Sequence, residues 1–203
     1  MEEIKIVKKQ DVKKVGHLLA QAFMHEEFWN WAIGSSQLNA EQQHKKLSYL
    51  FEVQAQHFSL PFQTAYLTEH EQGAALWTPP HQWHLNLFEQ VKLLPHFLKI
   101  LGVRRLYPVL DVINDIQKNH PTQPHYYLQT IGVVPQAQGR GVSSKLISPV
   151  LDQCDAMQVG AYLETATAQN VALYRHFGFD LINCWDKGTH GAPMVYSMWR
   201  DPC

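Results

Sequence analysis

The residues best suited to chemistry lie in the run Gln136-Ala137-Gln138-Gly139-Arg140-Gly141-Val142-Ser143-Ser144. Two glycines where a helical pattern begins let the backbone approach a ligand closely and turn several N–H groups toward it. With the positive end of the helix dipole behind them, they suit an anion such as a phosphate or pyrophosphate. A nucleoside-triphosphatase loop is excluded, because Lys-Ser or Lys-Thr must follow its last glycine and Val142-Ser143 stands there, with Lys145 too late. A dinucleotide fingerprint is half met by Gly139 to Ser144, with Glu164 as its acid. Against it, Ser144 occupies the third small position, and Val134 to Gln138 separate strand from glycine where that turn is tight. An ordinary strand-to-helix turn that binds nothing stays open. His81 and His84 have no third ligand nearby, so no metal site is expected.

A second group of reactive residues lies downstream: Tyr162-Leu163-Glu164-Thr165, then Asn170, then Tyr174-Arg175-His176-Phe177-Gly178-Phe179. Preceded by Q/R-x-x-G-x-G/A, met by Gln136, Gly139 and Gly141, these motifs resemble the GCN5-related N-acetyltransferase superfamily, in the same order and over nearly the whole chain. The spacing from Asn170 to Tyr174, the Tyr-Leu-Glu-Thr strand and Met198-Trp199-Arg200 are most similar to the branch that includes puromycin N-acetyltransferase.

The resemblance implies acetyl-CoA as cofactor and direct attack of a small molecule's primary amine on the thioester in a ternary complex. It places the pantetheine arm against the backbone of Ile131, Gly132 and Val133, and the pyrophosphate on the amides from Gln138 through Gly139, Arg140, Gly141, Val142 and Ser143 to Ser144. Ser143 stands where the branch usually has glycine. Asn170 is the expected polar contact to the pantetheine region. The reaction needs an acceptor for the ammonium proton, an oxyanion donor and a proton for the departing thiolate. The resemblance assigns the last two to the Val133 N–H and the Tyr174 phenol. Glu164 is the expected base, ranked ahead of Gln129, His125 and Glu26. Glu26, Phe28, Trp29 and Gln129 are the expected acceptor-site residues. A coenzyme-binding module without turnover and a dinucleotide-dependent oxidoreductase are the alternatives.

These residues need elements to position them. His125 to Val133 is rich in aromatic and β-branched residues and reads as a buried strand, and Val142, Leu146, Val150, Leu151 and Cys154 line one helix face, with Pro149 expected to kink it. Upstream, Ile4 to Val7 reads as a strand and Asp11 as the cap of a helix bearing Val12, Val15, Leu18 and Leu19. Asn39 and Gln42 form a capping box for a third-segment helix ended by Pro61. Thr64 to Thr68 and Gly73 to Thr78 make a hairpin. Residues 81–124 form an insert read as two helical segments, expected to be kinked or broken near Pro95 and Pro108 and to cover one end of the site. Ala161 to Thr165 is a strand, Asn170 to Phe177 a helix stopped at Gly178, and Phe179 to Trp185 and Val195 to Arg200 are strands joined through a turn at Gly188 to Pro193. The fold class is α/β (α+β): a single domain over 1–203, with a mixed, mostly antiparallel, twisted sheet, helices on both faces and the insert between the third and fourth strands.

At 203 residues the chain can bury a full core. Seventeen basic against eighteen acidic residues give a net charge of −1, which offers no global attraction to nucleic acid or anionic lipid. Three cysteines without metal spacing read as reduced thiols, and no apolar run approaches the ~20 residues of a membrane helix. A cytoplasmic monomer or homodimer, acting on a small amine and on neither nucleic acid nor membrane, is expected.

Overall fold

The computed structural model describes residues 3–84, 87–185 and 190–203. Its strands are β1 (Ile4–Ile6), β2 (Ala65–Thr68), β3 (Gly73–Thr78), β4 (His125–Val133), β5 (Gly160–Thr165), β6 (Asp180–Trp185) and β7 (Val195–Arg200). They form one seven-stranded sheet in the order β1-β2-β3-β4-β5-β7-β6. The β4–β5 pair is parallel and the others are antiparallel. A doubly wound parallel sheet is therefore absent, and the dinucleotide alternative goes with it.

Strand alternation sends side chains to two cores. Ala65, Leu67, Ala74 and Leu76 bury one face with α1 (Val12–Ala22), α3 (Ala40–Gln54) and α4 (Leu87–Lys118), while Ala75 and Trp77 bury the other with α5 (Val142–Met157) and α6 (Ala168–Arg175). A short helix, α2 (Glu27–Ile33), turns the chain between α1 and α3. The Asn39 capping box forms as expected: Gln42 N–H donates to Asn39 Oδ1 at 2.9 Å and Asn39 N–H to Gln42 Oε1 at 3.1 Å. Such a cap is worth ~1 kcal/mol.

Three expectations are corrected. Asp11 does not cap α1; its carboxylate accepts the Lys8 N–H at 3.1 Å and lies 3.7 Å from Lys5 Nζ. The insert does not break at its prolines. Helix α4 runs through Pro95 and Pro108 and breaks at Gly102, whose φ of 70° and ψ of 165° suit only glycine. Helix α5 continues past Pro149 to Met157. Helix α6 starts at Ala168, before Asn170, and ends at Arg175. The expected turn at Gly188 to Pro193 lies in part, at residues 188–189, outside the described residues.

One irregularity positions the site. Along β3–β4, Leu76 pairs with Thr130 but Trp77 pairs with Leu128, so Gln129 is an extra residue in β4. A bulge bends its strand and reverses which face the following side chains take. Tyr126 and Leu128 point into the α5 core before it, whereas Thr130 beyond it bonds to Gln54 of α3 at 2.8 Å. Pairing of β4 with β5 also stops here, the last pair being Leu128 with Leu163. Strand β4 peels away from β5 at Gln129, and the sheet opens.

Candidate active site

The opening exposes a specific set of backbone groups. Val134 N–H donates to the Gln72 carbonyl at 2.9 Å, so by antiparallel alternation the Gly73–Val133 and Ala75–Ile131 pairs turn their N–H and C=O groups away from β3. On that side β5 has already diverged. The Val133 carbonyl accepts from Gln138 Nε2 at 3.2 Å, and its N–H is turned into the opening. Gly132, expected beside Ile131 and Val133 along the pantetheine arm, pairs with Ala74 in the ladder. What it contributes is close approach: a Cβ there would lie 2.8 Å from both Ala22 Cβ and Leu19 Cδ2 of α1.

Beyond β4, Gly139 and Gly141 take φ values of 73° and 74°, and a Cβ on either would meet no protein atom within 4 Å. Gly141 is the N-cap of α5 and no side chain caps this end, so the first-turn N–H groups of Val142, Ser143 and Ser144 have no intrahelical acceptor. Val142 itself is buried and pins the turn to the core. Open glycines, uncapped N–H groups and strand-edge groups at Ile131 and Val133 fit the phosphates and the amide-bearing arm of acetyl-CoA.

Next to the opening lies a cavity of about 260 Å³. It gathers the expected acceptor-site residues Glu26, Phe28, Trp29 and Gln129, both catalytic candidates Glu164 and Tyr174, and Asn170 and Ile131. The residues from Gln138 to Ser144 lie outside it. Phe97, Ile113 and Gln117 of α4, in the insert, form part of its lining. The aromatic corner is held rigidly: Asn30 Nδ2 donates to the carbonyls of Phe23, Met24 and Glu26, and Gln43 Nε2 bridges Met24 O and Asn30 Oδ1. Trp29 packs edge-on against Phe28 and Phe51. Glu26 caps α2, accepting the Trp29 N–H at 2.8 Å, and burial raises its carboxyl above the usual range.

Burial pushes the Tyr174 phenol well above its ordinary value, so it keeps its proton at neutral pH. Asn170 Nδ2 donates to Thr165 Oγ1 at 3.3 Å, tying α6 to the end of β5. Glu164 Oε1 is buried without a hydrogen-bond partner among the described residues, and it lies 3.6 Å from His120 Nδ1. Burial, reinforced by this carboxylate, pushes the phenols of Tyr127 and Tyr162 upward.

The sequence reading missed His120, Trp83 and Gln117 as cavity residues. The available signal was a histidine just before Pro121 and five residues ahead of the histidine that opens β4. His125, ranked as an alternative base, lies outside the cavity lining, behind His120, and burial holds it down to about 4.

A mixed sheet that opens between its two parallel strands, beside a glycine loop at a helix start and a carboxylate-bearing cavity, is the framework of a coenzyme-dependent acyl transferase. The acetyltransferase (GNAT) family model matches residues 47–179, and the chain belongs to that family, whose fold uses acetyl-CoA. An uncharacterized N-acetyltransferase of Schizosaccharomyces pombe is 30% identical over 115 residues, which cover 53% of this chain and 47% of that protein. The match thus spans about half the length of that curated relative. Among solved structures, a histone acetyltransferase HPA2 and related acetyltransferase from Corynebacterium glutamicum has a TM-score of 0.68 at 21% identity, over 100% of this chain and 97% of that one. Drosophila melanogaster polyamine N-acetyltransferase, described as catalysing the formation of N-acetylagmatine, has a TM-score of 0.60 at 16% identity, over 99% of this chain and 100% of its own. Among the described residues no helix is long and apolar enough to cross a membrane.

Proposed function

We propose that this protein is an acetyl-CoA-dependent N-acetyltransferase acting by direct attack on a small primary amine with an apolar body. The observation that carries this reading is the meeting, at one opening of the sheet, of a phosphate-suited loop, free strand-edge groups and a cavity holding Glu164 and Tyr174. Bound acetyl-CoA supplies the activated acetyl group. Ile131 and Val133 would hold its arm, the residues from Gln138 to Ser144 its phosphates, and Asn170 the end of the arm nearest α6. In this reading the Val133 N–H stabilises the oxyanion, and the Tyr174 phenol, neutral because buried, gives a proton to the thiolate. Glu164 provides the negative charge that draws an ammonium into the cavity. The spacing on α6 keeps the likeness to the puromycin N-acetyltransferase branch without making puromycin the acceptor.

The walls suggest the acceptor's body. Phe28, Trp29, Leu50, Phe97 and Ile113 are aromatic or aliphatic, and of the cavity's two carboxylates Glu26 is already engaged in capping α2. A single ammonium is thus served, and a second at the far end is not. Released thiol should be measured with acetyl-CoA and three amines: 2-phenylethylamine, agmatine and spermidine. The aryl amine is expected to give the highest kcat/KM. In Trp29→Ala its KM should rise about tenfold or more while the KM for acetyl-CoA holds, since loss of a buried aromatic contact costs ~2 kcal/mol or more of binding. A preference for spermidine would refute the apolar acceptor, and coenzyme binding without thiol release from any amine would favour a non-catalytic binding module.

A further inference from the structure

We propose that the acceptor ammonium is held between Glu164 Oε1 and His120 Nδ1 and gives its proton to His120, with His125 fixing the histidine in the required tautomer. This rests on the acetyl-transfer reading above and adds a catalytic residue from the insert.

The hydrogen-bond line dictates the tautomers. The carbonyl of Gln123 can only accept, so His125 Nδ1, at 2.6 Å, carries a proton. Burial keeps His125 neutral, which leaves Nε2 as a lone pair. That lone pair lies 2.9 Å from His120 Nε2, so His120 donates there. The remaining nitrogen, His120 Nδ1, is then an acceptor whenever the ring is neutral, and it faces an acceptor, Glu164 Oε1, at 3.6 Å. Their side chains are only 2% and 9% exposed. The Tyr127 and Tyr162 phenols beside Glu164 can donate to its carboxylate but do not relieve this contact of two acceptors, whereas a primary ammonium can supply one N–H to each and its charge answers that of the carboxylate. Gln129 Oε1, buried and without a partner among the described residues, lines the same cavity.

Charge decides which of the two takes the proton. A carboxylate alone would stabilise the ammonium and hinder its loss of a proton. Transfer to His120 converts ammonium, imidazole and carboxylate into amine, imidazolium and carboxylate, so the buried site keeps the same net charge throughout. The imidazolium then donates Nδ1–H toward Glu164 and Nε2–H to His125. Stacking on Trp83, with ring centroids 3.7 Å apart, and edge contacts with Tyr127 and Tyr162 fix the ring. The other titratable groups near this line are those two phenols, both neutral, and His81, which acts on His125 through charge.

The step balances. The ammonium loses one proton to His120, and its nitrogen lone pair forms the C–N bond as the C–S bond breaks. The thiolate takes the Tyr174 proton, the amide nitrogen gives its surplus proton back to the phenolate, and His120 releases its proton to solvent, leaving amide, free thiol and one proton.

The test compares wild type, His120→Ala and His120→Gln by thiol release from acetyl-CoA with 2-phenylethylamine and with agmatine at several pH values. At pH near 7 the variants should lose about a hundredfold in kcat/KM for amine, within the usual range for a removed acid–base group, with acetyl-CoA affinity unchanged. Their residual rate should climb roughly tenfold per pH unit up to about pH 9, following the free-base fraction of the amine, and added imidazole should partly restore His120→Ala. A merely structural role would move neither the slope nor the rescue. Variants as active as wild type, or sharing its pH profile, overturn the proposal. If neither variant folds, wild type decides: a rate with that same steep climb overturns it, and a nearly flat rate supports it. A wild type that releases no thiol with either amine overturns the transfer reading and this proposal together, whereas an active wild type with equally active variants overturns this proposal alone.

Discussion

Gly141→Ala separates the cost of folding the glycine loop from the cost of binding at it. Gly141 has a φ of 74°, and a Cβ there would meet no protein atom within 4 Å, so the folded chain suffers no clash. The penalty is the left-handed backbone alone, roughly 1–2 kcal/mol for a residue with a Cβ. In a domain of this size that lowers Tm by about 2–8 °C. The methyl group would occupy open space at the N-cap of α5, next to the helix N-terminus on which the proposed reading puts the pyrophosphate. Suppose it weakens acetyl-CoA by about tenfold, or ~1.4 kcal/mol. At a concentration of about one hundred times the wild-type Kd, the stabilisation by ligand falls from ~2.7 to ~1.4 kcal/mol. Thermal melts with and without acetyl-CoA should therefore show two losses: a small one in the free protein and a halving of the ligand-induced shift. A variant that melts lower yet keeps its full acetyl-CoA shift would refute the assignment of this loop to the phosphates.

For Tyr174→Phe, kcat should fall between roughly tenfold and a thousandfold with acetyl-CoA affinity retained, and an unchanged kcat under rate-limiting chemistry would make the tyrosine a packing residue. Because burial raises this phenol, the wild-type rate should show no alkaline decline from Tyr174 below about pH 10. Acid stability should fall in two windows. His125 is held at about 4 against an ordinary 6.5, so the unfolded chain binds its proton first; this stability is fully present above about 6.5 and lost as pH falls toward about 4. Asp155 is held at about 2 against 3.8 by the Arg200 guanidinium, with Nη1 and Nη2 at 2.7 and 2.8 Å, so its contribution is lost between those lower values. Urea midpoints should show Arg200→Met losing the lower step and keeping the upper one; equal acid sensitivity below about pH 4 would refute the Asp155 assignment.

Features settled by neighbours along the chain were legible in the sequence. The limits of β4, the start of α5 after Gly141, the capping box at Asn39 and the hairpin of β2 and β3 each depend on propensity, periodicity or turn chemistry within a few residues. The family motifs are equally local, which is why Glu164, Asn170 and Tyr174 could be named in advance, and the cavity brings them together. Tertiary structure decided the rest. Gln129 became a bulge because Trp77 and Leu76 pair on either side of it, a register that β4 alone does not contain. The insert broke at Gly102 and not at its prolines, at the residue whose missing Cβ admits a φ of 70° and ψ of 165°, and just beyond it Arg105 bonds to the Ala32 carbonyl of α2 at 3.0 Å. The pairing of His120 with Glu164 needed the insert to return beside the end of β5, and neither residue's neighbours in sequence carry a trace of it. Burial then set their surroundings, because desolvation is a property of the assembled walls and not of any segment.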